Sequence, residues 1–279
     1  MSADSPSCGD VACGDVLRAR WLRCARRTCI VRGGDTARER DPALCAAGIR
    51  RVAGLRCAAG IRYVRGTTVD AMRFFAGLWR LAIAAMCFVG TYEAWHKPQF
   101  WTYFTFQAGF VLGFVMLWAG AASILRGVQP PAWLKGCVTV YAVITAVVAF
   151  LMMPPDDPAY VPQVLGLMTN TWLHRVAPIM AAADFVLFDG HRRFRWHYMF
   201  SWLAYFPAYL AFVMIRAAIW PHSGPAAGGN PYPYAFIDPN ALGWTGFAMN
   251  CGKLALGFLA IGFVTFLIDR ILPERPLLG

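Results

Sequence analysis

Charge is what this chain has least of. Charged residues make up 15% of its 279 positions, against roughly 25% in an ordinary soluble domain. That shortage, beside 58% hydrophobic and 15% aromatic residues, excludes a typical water-exposed fold. No C-x2-C pair occurs, and the Cys-rich first 72 residues contain no His, so the usual zinc-site spacings are missing. Neither H-E-x-x-H nor G-x-S-x-G is present, nor a phosphate-binding glycine loop or a nucleic-acid motif, so those routes to zinc protease, α/β-hydrolase and nucleotide chemistry are closed. Of five histidines, only His174 stands inside a long apolar run, which excludes a bis-histidine haem. No metal or cofactor is implied.

What remains divides the chain in two. Residues 1–72 carry thirteen Arg, no Lys and seven acidic residues, whereas residues 73–279 share thirteen Lys plus Arg and eight acidic residues over a much greater length. The net charge of +11 therefore comes from the leader and from connecting loops, and nucleic acid is not the expected partner. Six of the nine cysteines lie in the leader, and Cys-Ala-Ala-Gly-Ile-Arg occurs twice, at Cys45–Arg50 and Cys57–Arg62. Too few large apolar residues accompany them to form a core, so disorder is the expectation. A translation start set too early is the other reading, because Met72-Arg73-Phe74-Phe75 begins the first span naturally.

A membrane-crossing helix needs about 20 mostly apolar residues. Six stretches qualify: 74–92, 104–125, 133–152, 172–188, 199–220 and 244–271. None has the alternation of a barrel strand, and a helix satisfies its own backbone hydrogen bonds in lipid. The expected fold is thus all-α, a polytopic six-span protein of the cell membrane with the bilayer as its solvent. Arg126 and Lys135, then Arg192, Arg193 and Arg195, then Arg270 and Arg275 occupy alternate connections together with the leader. Basic loops favour the cytoplasmic side, which predicts both termini there. Trp101, Trp172, Trp220 and Trp244 then mark the outer boundary.

Ionisable side chains within spans are expensive and point to function. On this topology Thr105 opens the second span, and His174 lies within a turn of the outer boundary. Arg216 is roughly 6 Å below Trp220, and Asn250 and Lys253 are roughly 9 and 13 Å down the sixth span at 1.5 Å per residue. Asp184 falls near the midplane. A hydroxyl beside an imidazole can act as an activated nucleophile, and Arg216 and Lys253 could hold an anionic headgroup or a fatty carboxylate. Ordinary roles compete: Thr can bond its own helix, His174 can reach water, Arg80 can snorkel, and Asp184 can pair with Arg216 or Lys253. A transporter or lipid-binding protein using Asp184, Arg216 and Lys253 is the alternative function.

The run Tyr103-Phe104-Thr105-Phe106-Gln107 opens the second span, and Leu173-His174-Arg175-Val176-Ala177-Pro178 opens the fourth. Asp184-Phe185-Val186-Leu187-Phe188-Asp189 leads into a basic loop, and Asn230-Pro231-Tyr232-Pro233-Tyr234-Ala235-Phe236-Ile237-Asp238 fills the fifth connection. In this order they resemble the androgen-induced membrane protein family, over about residues 73–271, and its bacterial, especially actinobacterial, members more than the eukaryotic ones. The resemblance implies a threonine hydrolase that cleaves fatty acid esters of hydroxy fatty acids. It matches the family's nucleophile to Thr105, with Thr102 as the alternative, and its catalytic histidine to His174. The residues around Thr105 depart from the eukaryotic pattern, and the spacing from His174 to Pro178 is one residue shorter.

Overall fold

The computed structural model of the protein describes residues 70–153, 161 and 163–278. The leader cysteines, the tandem repeat, and Asp156 and Asp157 lie outside the described residues.

Five helices are long and apolar enough to cross a membrane, with mean hydropathy between 1.5 and 2.1. They are α1 (Asp70–Gly90), α3 (Phe104–Leu125), α4 (Ala132–Met152), the pair α7 (Tyr198–Leu203) and α8 (Tyr205–Ile219), and α9 (Pro239–Ile271). A short α2 (Tyr92–His96) and a 3-10 turn (Pro98–Thr102) link α1 to α3. The five long helices overlap stretches expected to span. The remaining expected span, 172–188, is helical but not uniform. It begins as α5 (Thr169–Thr171), widens into a π turn (Trp172–Val176) and continues as α6 (Ala177–Phe188). The all-α expectation omitted a two-residue hairpin, β1 (Gln163–Val164) with β2 (Leu167–Met168), whose turn residues Leu165 and Gly166 both have positive φ.

Proline explains the widened turn. Pro178 has no N–H to give to the His174 carbonyl, and its ring crowds that carbonyl. The Ala177 N–H instead bonds Trp172 O, five residues back. One oversized turn in a helix is a known accommodation of this kind, and such turns recur at functional sites.

Helix α4 is the centre of the assembly. It packs against α3, α6 and α9, and it belongs to both main buried clusters. Tyr141 and Ile144 join Phe104, Phe185, Phe206 and Phe258, while Val138 and Ala142 join Ile83, Leu112 and Met116. Helices α8 and α9 bury far less of their surface, as suits helices whose outer faces meet lipid.

Candidate active site

The site is built where α3 begins. Tyr103 precedes the helix and makes no side-chain cap to it, so the first N–H groups of α3 need partners from elsewhere. The phenol of Tyr234 supplies one, accepting the Thr105 N–H at 3.3 Å. The same phenol oxygen is 3.2 Å from Thr105 Oγ1, and Thr105 Oγ1 is 3.1 Å from His174 Nε2. Thr105 is 6% exposed, Tyr234 8% and His174 9%, so water competes little for these bonds.

Two local devices hold the pieces in place. Leu173, next to His174, fills a slot between α1 and α3 that only glycines leave open: a Cβ on Gly90 would lie 2.5 Å from Leu173 Cγ, and one on Gly109 2.7 Å from Leu173 Cδ2. Gly109 is one turn beyond Thr105, so the slot sets the imidazole against the first turn of α3. Tyr234 is set by a clasp in the fifth connection. Asn230 Nδ2 donates to Asp238 Oδ2 at 2.8 Å, and Asn230 Oδ1 accepts the Tyr232 N–H at 2.9 Å. The other Asp238 oxygen caps α9 by accepting from the Asn240 and Ala241 amides. Tyr234 then lies edge-on to Tyr103 and stacked on Phe236.

One order of protons compatible with these three contacts runs from the phenol through the hydroxyl to the imidazole. Burial pushes the Tyr234 phenol up to about 12, although the Thr105 hydroxyl and amide and the Phe104 amide pull the other way. The phenol is therefore protonated at neutral pH. In this order the phenol accepts the Thr105 N–H and donates its own proton to Thr105 Oγ1. The Thr105 hydroxyl then donates to His174 Nε2 in the tautomer that carries its proton on Nδ1. That is the ground-state order a hydroxyl nucleophile and a general base require.

Beside Thr105 lies a cavity of about 40 Å³, room for about three waters. Carbon lines most of it, from Phe104, Ile144, Val148, Phe206, Leu254 and Phe258 among others. Thr102, the alternative nucleophile, is elsewhere: it ends the 3-10 turn, and its carbonyl accepts the Tyr209 hydroxyl at 3.0 Å.

The four residues expected to bind substrate are not among those lining this cavity. Asn250 is nearest in role, donating to the carbonyl of the lining residue Phe236 at 3.1 Å. Arg216 Nη2 donates to the Ser223 carbonyl at 2.6 Å and braces the fifth connection. Lys253 is exposed, because Leu254 and Phe258, one turn apart, take the inward face and the residue before them is rotated about 100° away.

Asp184 belongs to a second polar region, at the far end of α3. It is fully buried, with Oδ1 2.9 Å from Arg80 Nε and Oδ2 2.5 Å from Lys135 Nζ. Arg80 also donates to Ser123 Oγ at 2.8 Å and to Asp189 Oδ1 at 2.9 Å, and Lys135 reaches Asp189 Oδ1 at 2.5 Å. The expected pairing of Asp184 with Arg216 or Lys253 is thus replaced by Arg80 and Lys135. Arg80 does not snorkel. A carboxylate from α6 meets it in the interior, and a paired buried charge costs far less than a lone one. Lys135, counted with a loop in the sequence, sits in the first turn of α4.

Tyr234 is the member of this hydrogen-bonded group that sequence reasoning missed. It lies in the Asn-Pro-Tyr-Pro-Tyr segment, whose two prolines and clustered aromatics marked a rigid connection without showing which tyrosine faced α3.

Apolar helices of this length and number make the chain an integral membrane protein, with a hydroxyl, an imidazole and a phenol joined at one end. No protein-family model, no curated protein and no solved structure matches it.

Proposed function

We propose that the protein is an intramembrane threonine hydrolase of lipid esters, a bacterial-type member of the androgen-induced membrane protein family. The observation that supports this most is the buried 3.1 Å contact between Thr105 Oγ1 and His174 Nε2 beside an apolar cavity.

In the reaction, His174 Nε2 takes the Thr105 hydroxyl proton as Oγ1 bonds the acyl carbon. The phenol proton of Tyr234, directed at Oγ1, stabilises the negative charge that develops there as the hydroxyl proton leaves. Collapse breaks the bond to the leaving alkoxide, which takes the proton from His174. The product alcohol departs and the acyl group stays on Thr105. Water then gives one proton to His174 and bonds the acyl carbon, and Thr105 leaves with that proton. A fatty acid is released and the side chains are restored. The carbon-lined cavity suits an acyl chain, which must widen it to bind.

Labelling of purified protein by a fluorophosphonate probe tests the nucleophile. Wild type labels, and Thr105→Ala does not while Thr102→Ala still does. Undiminished labelling of Thr105→Ala defeats the assignment. Hydrolysis of a fatty acid ester of a hydroxy fatty acid, lost in His174→Ala, tests the substrate class. Lipid binding without turnover by folded wild type favours the non-enzymatic alternative.

A further inference from the structure

A larger cavity, about 280 Å³, opens beside the ion cluster, at the opposite end of α3 from Thr105. Four cations line it: Arg73, Arg80, Lys135 and Arg193. Arg80 and Lys135 are balanced by Asp184 and Asp189, two charges against two. Arg73 and Arg193 are left over. Neither guanidinium has a hydrogen-bond or ion-pair partner among the described residues. Among the described residues, the lining therefore carries two cations more than the two carboxylates paired with Arg80 and Lys135.

The presentation of Arg193 is built. Its neighbour Arg192 holds a left-handed conformation, φ 61°, which non-glycine residues seldom adopt unless the surroundings require it. Asp269 supplies the requirement from both sides: its carbonyl accepts the Arg192 N–H at 2.8 Å, and its carboxylate accepts the Phe194 N–H at 3.0 Å. The residue between these two bonds is Arg193. Arg73 comes from the first turns of α1, on a helix whose Phe74, Phe75 and Leu78 are exposed and suited to lipid. Asp189, Ser123 and Gln129 also line the cavity, with Met72, Phe188 and Leu278 among its apolar residues, so cationic and apolar groups share it.

We propose that this cavity binds a phosphate group. Two guanidinium forks match the tetrahedral oxygens of phosphate with paired N–H donors. A basic pocket between spanning helices is also the expected form of a site for an anionic lipid headgroup. The same chemistry would hold a soluble phosphate ester, so the source is decided by experiment. The site is independent of the hydrolase reading, since it shares no residue with Thr105, His174 or Tyr234.

The test uses the full chain. In the lipid arm it is placed in phosphatidylcholine nanodiscs with and without phosphatidylglycerol, and retained lipid is counted by native mass spectrometry. In the soluble arm, protein in neutral detergent is titrated calorimetrically with inorganic phosphate and with glycerol 3-phosphate. Wild type is expected to bind in at least one arm, and the Arg73→Gln/Arg193→Gln variant to bind about tenfold more weakly or worse, a loss of about 1.4 kcal/mol. Arg195→Gln, in the same loop but outside the cavity lining, should bind like wild type. Retention of phosphatidylglycerol alone identifies a lipid headgroup, and binding in the soluble arm identifies a free phosphate ester. The proposal is overturned if wild type binds in neither arm, if the double variant binds as wild type does, or if Arg195→Gln weakens binding equally. Because Arg73 and Arg193 have no hydrogen-bond or ion-pair partners among the described residues, the double variant should melt with wild type. If it does not fold, the two single variants carry the test by the same criterion.

Discussion

Helix α3 connects two polar regions built on opposite principles. Thr105 in its first turn and Ser123 in its last are eighteen residues apart, roughly 27 Å along the axis. At the Ser123 end, Arg80, Lys135, Asp184 and Asp189 are ionic groups gathered from α1, α4, α6 and the loop after it, and they cancel one another's charge. At the Thr105 end, a hydroxyl, an imidazole and a phenol share protons through hydrogen bonds. A network of opposed charges resists change, because losing one member strands another in the interior. A chain of neutral donors and acceptors can pass a proton with little rearrangement. The first arrangement suits holding helices together, and the second suits chemistry.

Mutation can break this contrast from either end, and the largest effect is expected at the ionic one. Asp184→Ala leaves Arg80 and Lys135 with Asp189 as their one shared carboxylate, so a buried positive charge goes uncompensated, and the change should cost roughly 3–5 kcal/mol. The measurement is melting of the purified protein in detergent, and a change within about 1 kcal/mol, the scale of a single exposed pair, would show that the cluster does not hold the helices. Labelling by fluorophosphonate should persist in whatever fraction stays folded. His174→Ala should act mainly on labelling, slowing it by about 10²–10⁴, the usual share of general-base catalysis, with a smaller loss of melting stability than Asp184→Ala.

Gly90→Ala sharpens the comparison by acting on both properties. Its Cβ would meet Leu173 Cγ at 2.5 Å, and overpacking of this kind costs about 1–3 kcal/mol. Displacing Leu173 also shifts its neighbour His174, so melting and labelling should fall together. Tyr234→Phe removes the acceptor for the Thr105 N–H and should lower stability by about 1 kcal/mol, with a several-fold loss of labelling.

The smallest effect is spectroscopic. The Tyr234 phenol is raised by burial to about 12, above the unfolded value of about 10. The folded state thus holds that proton more tightly, and its contribution to stability is complete below pH 10 and is lost as pH rises toward 12. Absorbance titration should show late-ionising tyrosine absorbance that falls by one residue's share in Tyr234→Phe. Ionisation of every tyrosine near pH 10 would contradict the burial of this phenol.

Much of this arrangement was legible in the sequence. Length and hydropathy locate spans without knowledge of neighbours, because a helix in lipid satisfies its backbone internally, and α1, α3, α4 and α9 appear where the apolar runs lie. The pairing of Thr105 with His174 was legible through the order of short motifs, although spacing by itself left it open. Partners distant in sequence were not. Asp184 is 104 positions from Arg80, and Tyr234 is 129 from Thr105. No periodicity encodes separations of that size. Depth from the boundary also misled for Lys253, since depth says nothing of the direction in which a side chain leaves its helix.

By itself, then, the sequence determined the solvent of the folded chain, the helical class, and the presence of a hydroxyl and an imidazole at the starts of two apolar segments. These are local properties, set by composition over one or two tens of residues. The tertiary structure decided which groups those two would meet. Pro178 opens a π turn that aims His174, Gly90 and Gly109 admit Leu173, and the Asn230–Asp238 clasp lowers Tyr234 onto α3. It also decided that Arg80 would meet a carboxylate instead of leaving the membrane. Each outcome depends on which helix faces are pressed together, and packing of that kind exists only once the chain has folded.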